Sequence, residues 1–209
     1  MSALPHFDLA KPPTPDRLTR RQLQHMLHMA QAQLAALEQL AFTDPLTGLR
    51  NRRYFDERLQ QEVSRCRRSP ESMFSVLAVD LNNFKLVNDT LGHQAGDALL
   101  MEVASHLLNT LRGHDVVCRT GGNEFLVVLP DTGAGQAAAA VGRLARGFAS
   151  LRVRGASKVG LAIGSASYPR HGADATTLVK VADEAMYEDK RRQRSTGLAL
   201  STEQAEDRA

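Results

Sequence analysis

Cysteine is nearly absent from this sequence: Cys66 and Cys118 are the only two in 209 residues, too few for a disulfide framework or a four-ligand zinc site. Cys118 lies in an apolar run, where a buried reduced thiol is expected, so redox chemistry is not the activity to look for. Long apolar runs are missing too, and the N-terminus carries Pro5, Pro12, Pro13 and Pro15 where a signal peptide would have an apolar core. A cytoplasmic protein with no membrane span is the expectation. Charge of one sign is also lacking in quantity: the formal net charge is only +3, with a pI near 9.1. That balance suits a nucleic-acid partner and equally a pocket that holds triphosphates. What is present is ordinary globular material, 43% hydrophobic and 23% charged, enough for one domain with modest extensions.

Residues 1–18 are rich in proline and polar residues without a sustained period, which predicts a disordered arm. Leu23, Leu27, Ala30, Leu34, Leu37 and Ala41 then step alternately by four and three, the spacing of an a/d seam. The spacing predicts an amphipathic helix over 19–41, paired with a second copy as a coiled coil or packed on its own domain. Turn and cap chemistry at 43–49 leads into a helix with Phe55 and Leu59. The nearly continuous apolar run 73–81 suits a buried central strand interrupted only by Asp80. A helix over 95–111, a strand at 115–119, the hairpin signal Gly121-Gly122, a return strand at 125–129, a helix over 134–150, a strand at 158–167 and a last helix to about Arg192 follow. The order β-α-β-β-α-β-α predicts an α/β sandwich of the ferredoxin-like type with a mainly antiparallel sheet. The tail 196–209 reads as flexible.

An aspartate at the end of an apolar strand is expensive to bury unless a metal or a partner compensates it, which makes Asp80 the first functional candidate, with helix capping as its ordinary alternative. Asn82-Asn83-Phe84-Lys85 leads from that strand into a helix or turn, where backbone N–H groups and a lysine can hold phosphate. Glu124 stands just past two glycines that let the backbone approach a ligand closely. Two strands bringing Asp80 and Glu124 together beside phosphate-binding groups would suit a magnesium–nucleotide site.

The segments DPLTGLRNRRYF at 44–55, VDLNNFKLVNDTLGHQAGD at 79–97, RTGGNEF at 119–125 and ADEAMYEDK at 182–190 together resemble the GGDEF (diguanylate cyclase) family, which condenses two GTP molecules into cyclic di-GMP and pyrophosphate. The resemblance covers residues 42–195. It implies that Asp80, the carbonyl of Leu81 and the turn positions Asn123 and Glu124 bind magnesium or manganese. It implies that Asn88 and Asp97 read the guanine edge, that Phe84, His93, Gly121 and Gly122 line the substrate, and that Lys85, Lys190 and Arg194 neutralise the triphosphate. Asn123, Glu124 and Lys85 are the catalytic candidates. Upstream of the turn, Arg112 and Asp115 form an R-x-x-D pair placed where the family carries an inhibitory cyclic di-GMP site, with Arg143 as an auxiliary arginine.

Each assignment has a plainer counterpart. Asn88-Asp89 is also turn chemistry, Arg112 and Asp115 are also a surface ion pair, and the cations at 190–194 are also a solvated helix end. Those cations lack interleaved aromatic residues, which ranks nucleic acid last as a partner.

Asn123 departs from the family, which has Asp or Glu there as a metal ligand and as a candidate base for the ribose hydroxyl. An amide brings no charge and accepts no proton, so turnover is expected to be weak or lost while GTP binding survives. Asn82, where Asp is common, and Gln193, where glycine is usual, are further departures. Three functions therefore compete: a homodimeric cyclase paired through 19–41 and compromised at Asn123, a receptor that binds GTP or cyclic di-GMP through Arg112 and Asp115, and a scaffold that uses only its helix.

Overall fold

The computed structural model describes residues 19–69, 71–150 and 159–206; the arm expected at 1–18 lies outside them. The chain divides into two units, Met1–Ala41 and Phe42–Ala209. In the first unit, helix α1 (Arg20–Phe42) begins at a capping box. The Thr19 hydroxyl accepts the Gln22 N–H at 3.3 Å and the Gln22 side chain accepts the Thr19 N–H at 2.9 Å, so two N–H groups that lack helical partners satisfy each other's residues. Four seam leucines of this helix are largely exposed: Leu23 50%, Leu27 60%, Leu34 59% and Leu37 63%.

The second unit is a five-stranded sheet in the order β1-β3-β4-β2-β5, with β1 Arg50–Asn51, β2 Phe74–Asn82, β3 Val116–Gly121, β4 Glu124–Pro130 and β5 Gly160–Tyr168. The four longer strands lie β5-β2-β4-β3, each antiparallel to its neighbour. This is the α/β sandwich with a mainly antiparallel sheet that the element order predicts. The short β1 adds a parallel edge, Arg50 opposite Cys118 and Asn51 opposite Arg119. Two residues carry no alternating pattern, so this strand left no signal in the sequence.

Side chains alternate across the sheet because the strand period is two. Leu77, Val79, Phe125, Val127 and Ile163 face one layer, α4 (His93–Thr110) and α5 (Ala134–Ser150), while Val76, Ala78, Leu126 and Val128 face α2 (Arg52–Arg68) and α6 (Ala175–Glu206). Both cysteines are free and buried on the α2/α6 side. Burial pushes the Cys118 thiol up to about 12, so it stays protonated and unreactive at neutral pH.

Two helices differ from the sequence pattern. The stretch expected as one helix over 95–111 is preceded by α3 (Phe84–Leu91), which starts after Asn83 in the left-handed region (φ 59°) and is separated from α4 by Gly92 (φ 85°). Positive φ at both positions breaks the helical path while letting the two helices follow each other. The last helix runs to Glu206 rather than to about Arg192. That helix packs close to β5 because residue 164 is glycine: a Cβ there would lie 2.1 Å from the Ala182 carbonyl oxygen and 2.2 Å from the Met186 nitrogen. The close packing sets the height at which the next turn of α6 reaches the end of β2.

Candidate functional site

Asp80 is the one acidic residue of the wholly buried strand β2 and shares its face with Phe74, Val76 and Ala78. The antiparallel register sets it directly opposite Glu124, the first residue of β4, so the two carboxylates project from one edge of one face. Glu124 is exposed, whereas Asp80 is only 5% exposed. An ionised carboxylate so buried needs a counter-charge, and Lys190 supplies it from α6, Nζ standing 2.6 Å from Asp80 Oδ1.

The turn between β3 and β4 is pinned from both sides. Arg119 donates to the Gly122 carbonyl from Nε (3.1 Å) and Nη2 (2.8 Å), and its Nη1 reaches Asp44 Oδ1 at 3.1 Å. Asp44 also accepts the Thr47 N–H at 2.9 Å and the Thr47 hydroxyl at 2.6 Å. Burial alone would push the Asp44 carboxyl up, but the two Thr47 hydrogen bonds and Arg119 outweigh it and hold the group below its ordinary value. On the far side, the Leu81 N–H donates to the Asn123 carbonyl at 3.2 Å, and Asn123 Nδ2 donates to the Leu81 carbonyl at 2.9 Å.

The guanine-reading candidates lie on the two helices that follow β2. Asn88 is on α3, and its Oδ1 is buried without a hydrogen-bond partner. Gly96 makes room for it, since a Cβ there would come within 1.9 Å of that oxygen and 3.2 Å of Phe84 Cζ. Asp97 follows on α4, exposed, with His93 exposed at the start of that helix and Lys85 exposed on α3. Arg194 is exposed on α6, one turn beyond Lys190.

Arg112, Asp115 and Arg143 come together in a second place. They line one cavity with Leu129, Thr132 and Gln136. Leu129 is five residues along β4 from Glu124, roughly 17 Å of strand, and faces the other layer. Within this cavity Asp115 Oδ2 accepts the Arg112 N–H at 2.7 Å, while Asp115 Oδ1 is buried without a hydrogen-bond partner.

A model of the family described as "Diguanylate cyclase, GGDEF domain" matches residues 41–196. The chain belongs to the GGDEF diguanylate cyclase family. It is 37% identical over 157 residues to the response regulator PleD of Caulobacter vibrioides, covering 73% of this chain and 34% of that protein. It is 37% identical over 166 residues to the diguanylate cyclase TpbB of Pseudomonas aeruginosa, covering 78% of this chain and 38% of that one. The chain thus spans little more than a third of these relatives. A crystal structure of the coiled coil and GGDEF domain of DgcB from Caulobacter crescentus in complex with c-di-GMP superposes with a TM-score of 0.72 at 25% identity, covering 82% of this chain and 92% of that one.

GGDEF cyclases are expected to use a divalent cation, and the donors here do not fit one as arranged. The Leu81 carbonyl accepts the Asn123 amide, Asp80 Oδ1 is held by an ammonium group, and among the described residues no three His, Cys, Asp or Glu side chains cluster as metal ligands do. Two pairs of residues outside the candidate ligands also build the site. Asp44 and Arg119 lie inside the quoted motifs, so only their pairing across 75 positions was hidden. Asn82 and Gln193 were noted as departures, and the structure joins them, Asn82 Nδ2 donating to Gln193 Oε1 at 2.7 Å.

The Asp44 network predicts a pH-dependent contribution to stability. Asp44→Asn is expected to cost about 1–2 kcal/mol in urea unfolding at neutral pH. Because the folded value is depressed, the contribution is complete above the ordinary value of 3.8 and is lost as pH falls through the folded value. The gap between native chain and variant should therefore narrow in acid; equal stability at neutral pH would contradict the assignment.

Proposed function

We propose that this GGDEF domain binds GTP at the Asp80 edge and descends from the condensation of two GTP into cyclic di-GMP and pyrophosphate, with turnover weak or lost because of Asn123. Asn88 and Asp97 take the guanine: the partnerless Asn88 Oδ1 is an acceptor for its N–H groups, and the Asp97 carboxylate is another. Lys85, Lys190 and Arg194 meet the triphosphate charge. Magnesium or manganese is the ion the family implies at Asp80, Leu81, Asn123 and Glu124, and the amide on the Leu81 carbonyl and the lysine on Asp80 stand against it in the arrangement seen here. The observation that carries the reading of weakened turnover is the Asn123 amide on the Leu81 carbonyl, where the family has a carboxylate that can bind metal and take a proton.

In this reading two domains meet face to face, each holding one GTP, with the 3′-hydroxyl of each attacking the α-phosphorus of the other. Pairing through residues 19–41 would raise the effective concentration of the half-sites, and the exposed leucines of α1 support that pairing. Incubation with GTP and magnesium or manganese, followed by chromatography for cyclic di-GMP, tests the proposal. Asn123→Asp should form product about two to four decades faster than the native chain, the span of a general base; no product from either would overturn the cyclase reading.

A second reading, a cyclic di-GMP receptor working through Arg112, Asp115 and Arg143, is favoured by Asp115 Oδ1, buried without a hydrogen-bond partner and 3.9 Å from His114 Nε2, in a cavity that both arginines line. A buried carboxylate oxygen without a donor is costly until a ligand N–H reaches it. Calorimetry with cyclic di-GMP should show binding that Arg112→Ala weakens by about tenfold or more, the loss of roughly one charge-assisted contact. Binding untouched by that substitution would remove the assignment.

A further inference from the structure

We infer that side-chain amides close the phosphate end of this site in place of a divalent cation, and that the domain takes its guanosine triphosphate without one. The inference rests on the GTP-binding reading above and on three residues, Asn82, Asn123 and Gln193.

Asn123 grips Leu81 twice. Its carbonyl accepts the Leu81 N–H at 3.2 Å and its Nδ2 donates to the Leu81 carbonyl at 2.9 Å. The reverse amide orientation would set two acceptor oxygens face to face, so the nitrogen belongs toward Leu81. A cation on that carbonyl would meet the positive N–H hydrogens of the amide. A cation on Asp80 would meet the Lys190 ammonium, 2.6 Å from Oδ1.

Gln193 anchors the stretch of α6 that carries that ammonium. Three residues beyond Lys190 on α6, its Oε1 accepts from Asn82 Nδ2 at 2.7 Å, and its Nε2 donates to the Leu161 carbonyl at 2.8 Å and to Asp189 Oδ2 at 2.9 Å. Asp189 in turn accepts the Ile163 N–H at 3.0 Å. The amide pair lies beside Gly160, where a Cβ would stand 3.1 Å from Gln193 Oε1 and 3.7 Å from Asn82 Nδ2. Helix α6 is thus tied to the ends of β2 and β5 on either side of the lysine.

Magnesium asks for about six oxygen ligands in near-octahedral geometry. With the Leu81 carbonyl and Asp80 Oδ1 engaged, the protein offers two carboxylates already answered in part by a fixed positive charge. Lys190, together with Lys85 and Arg194, then does for the triphosphate what a cation does elsewhere. An aspartate at 123 would reverse the arrangement, because its oxygen facing the Leu81 carbonyl calls for a cation between them.

The test uses the full chain in two measurements. Calorimetry with GTP in EDTA and in excess magnesium should give dissociation constants within about threefold of each other for the native chain, whereas Asn123→Asp gains about tenfold or more from magnesium. Tightening of the native chain by about tenfold with magnesium would overturn the inference. Without nucleotide, the free manganese(II) signal in electron paramagnetic resonance should be unchanged by the native chain and reduced by Asn123→Asp. Uptake of manganese by the native chain, one ion per chain, would overturn it even if the variant does not fold. Absence of GTP binding in both buffers would instead overturn the GTP-binding reading, leaving the amide closure to be decided by manganese alone.

Discussion

A carboxylate buried at the end of β2 governs the arrangement around it. Every residue of that strand is buried, and the three side chains that precede Asp80 on its face, Phe74, Val76 and Ala78, are apolar, so its carboxylate calls for a partner in reach. Lys190 is that partner, and it can reach only if α6 lies tight against β5. Gly164 permits the approach, and the next turn of the helix carries the ammonium to the strand end. The second carboxylate, Glu124, is delivered by register alone, one strand over and exposed. The site is therefore an edge, with fixed charge behind and open polar groups in front.

The second element is a chain of hydrogen bonds that crosses the edge. Asp44 holds Arg119, Arg119 holds the Gly122 carbonyl, and Asn123, the next residue, holds both polar groups of Leu81. Motifs that lie 75 positions apart in the chain are in this way one unit. Carboxylates at the turn would repel the carbonyl they face, and family members with Asp or Glu there need something positive in between. The amide at 123 instead donates to that carbonyl directly, so the residue at this position sets the resting hydrogen-bond pattern of the turn.

Much of this was legible in the chain. The apolar run with a single acid marks β2 and Asp80, the double glycine marks the hairpin that sets Glu124 opposite, and Arg112, Asp115 and Arg143, grouped on motif position, line one cavity. What stayed hidden has physical reasons. β1 is too short to show a period. The start of α3 depends on a left-handed Asn83, a conformation no pattern encodes. The pairings of Asp80 with Lys190 and of Asn82 with Gln193 join residues 110 and 111 positions apart; the motifs name each partner singly, and only the packing of α6 brings them together. The last helix outran its expected end because nothing in its polar continuation forbids helix, and polarity alone does not signal a stop.

On the proposed function, the edge formed by Asp80 and Lys190 receives the phosphates of a guanine nucleotide whose base lies over α3 and α4. A crystal structure of the chain soaked with GTP decides it. The guanine should lie within hydrogen-bond distance of Asn88 and Asp97, with the triphosphate extending to Lys190. A nucleotide seated elsewhere, or a guanine cleft closed by packed hydrocarbon, would contradict it.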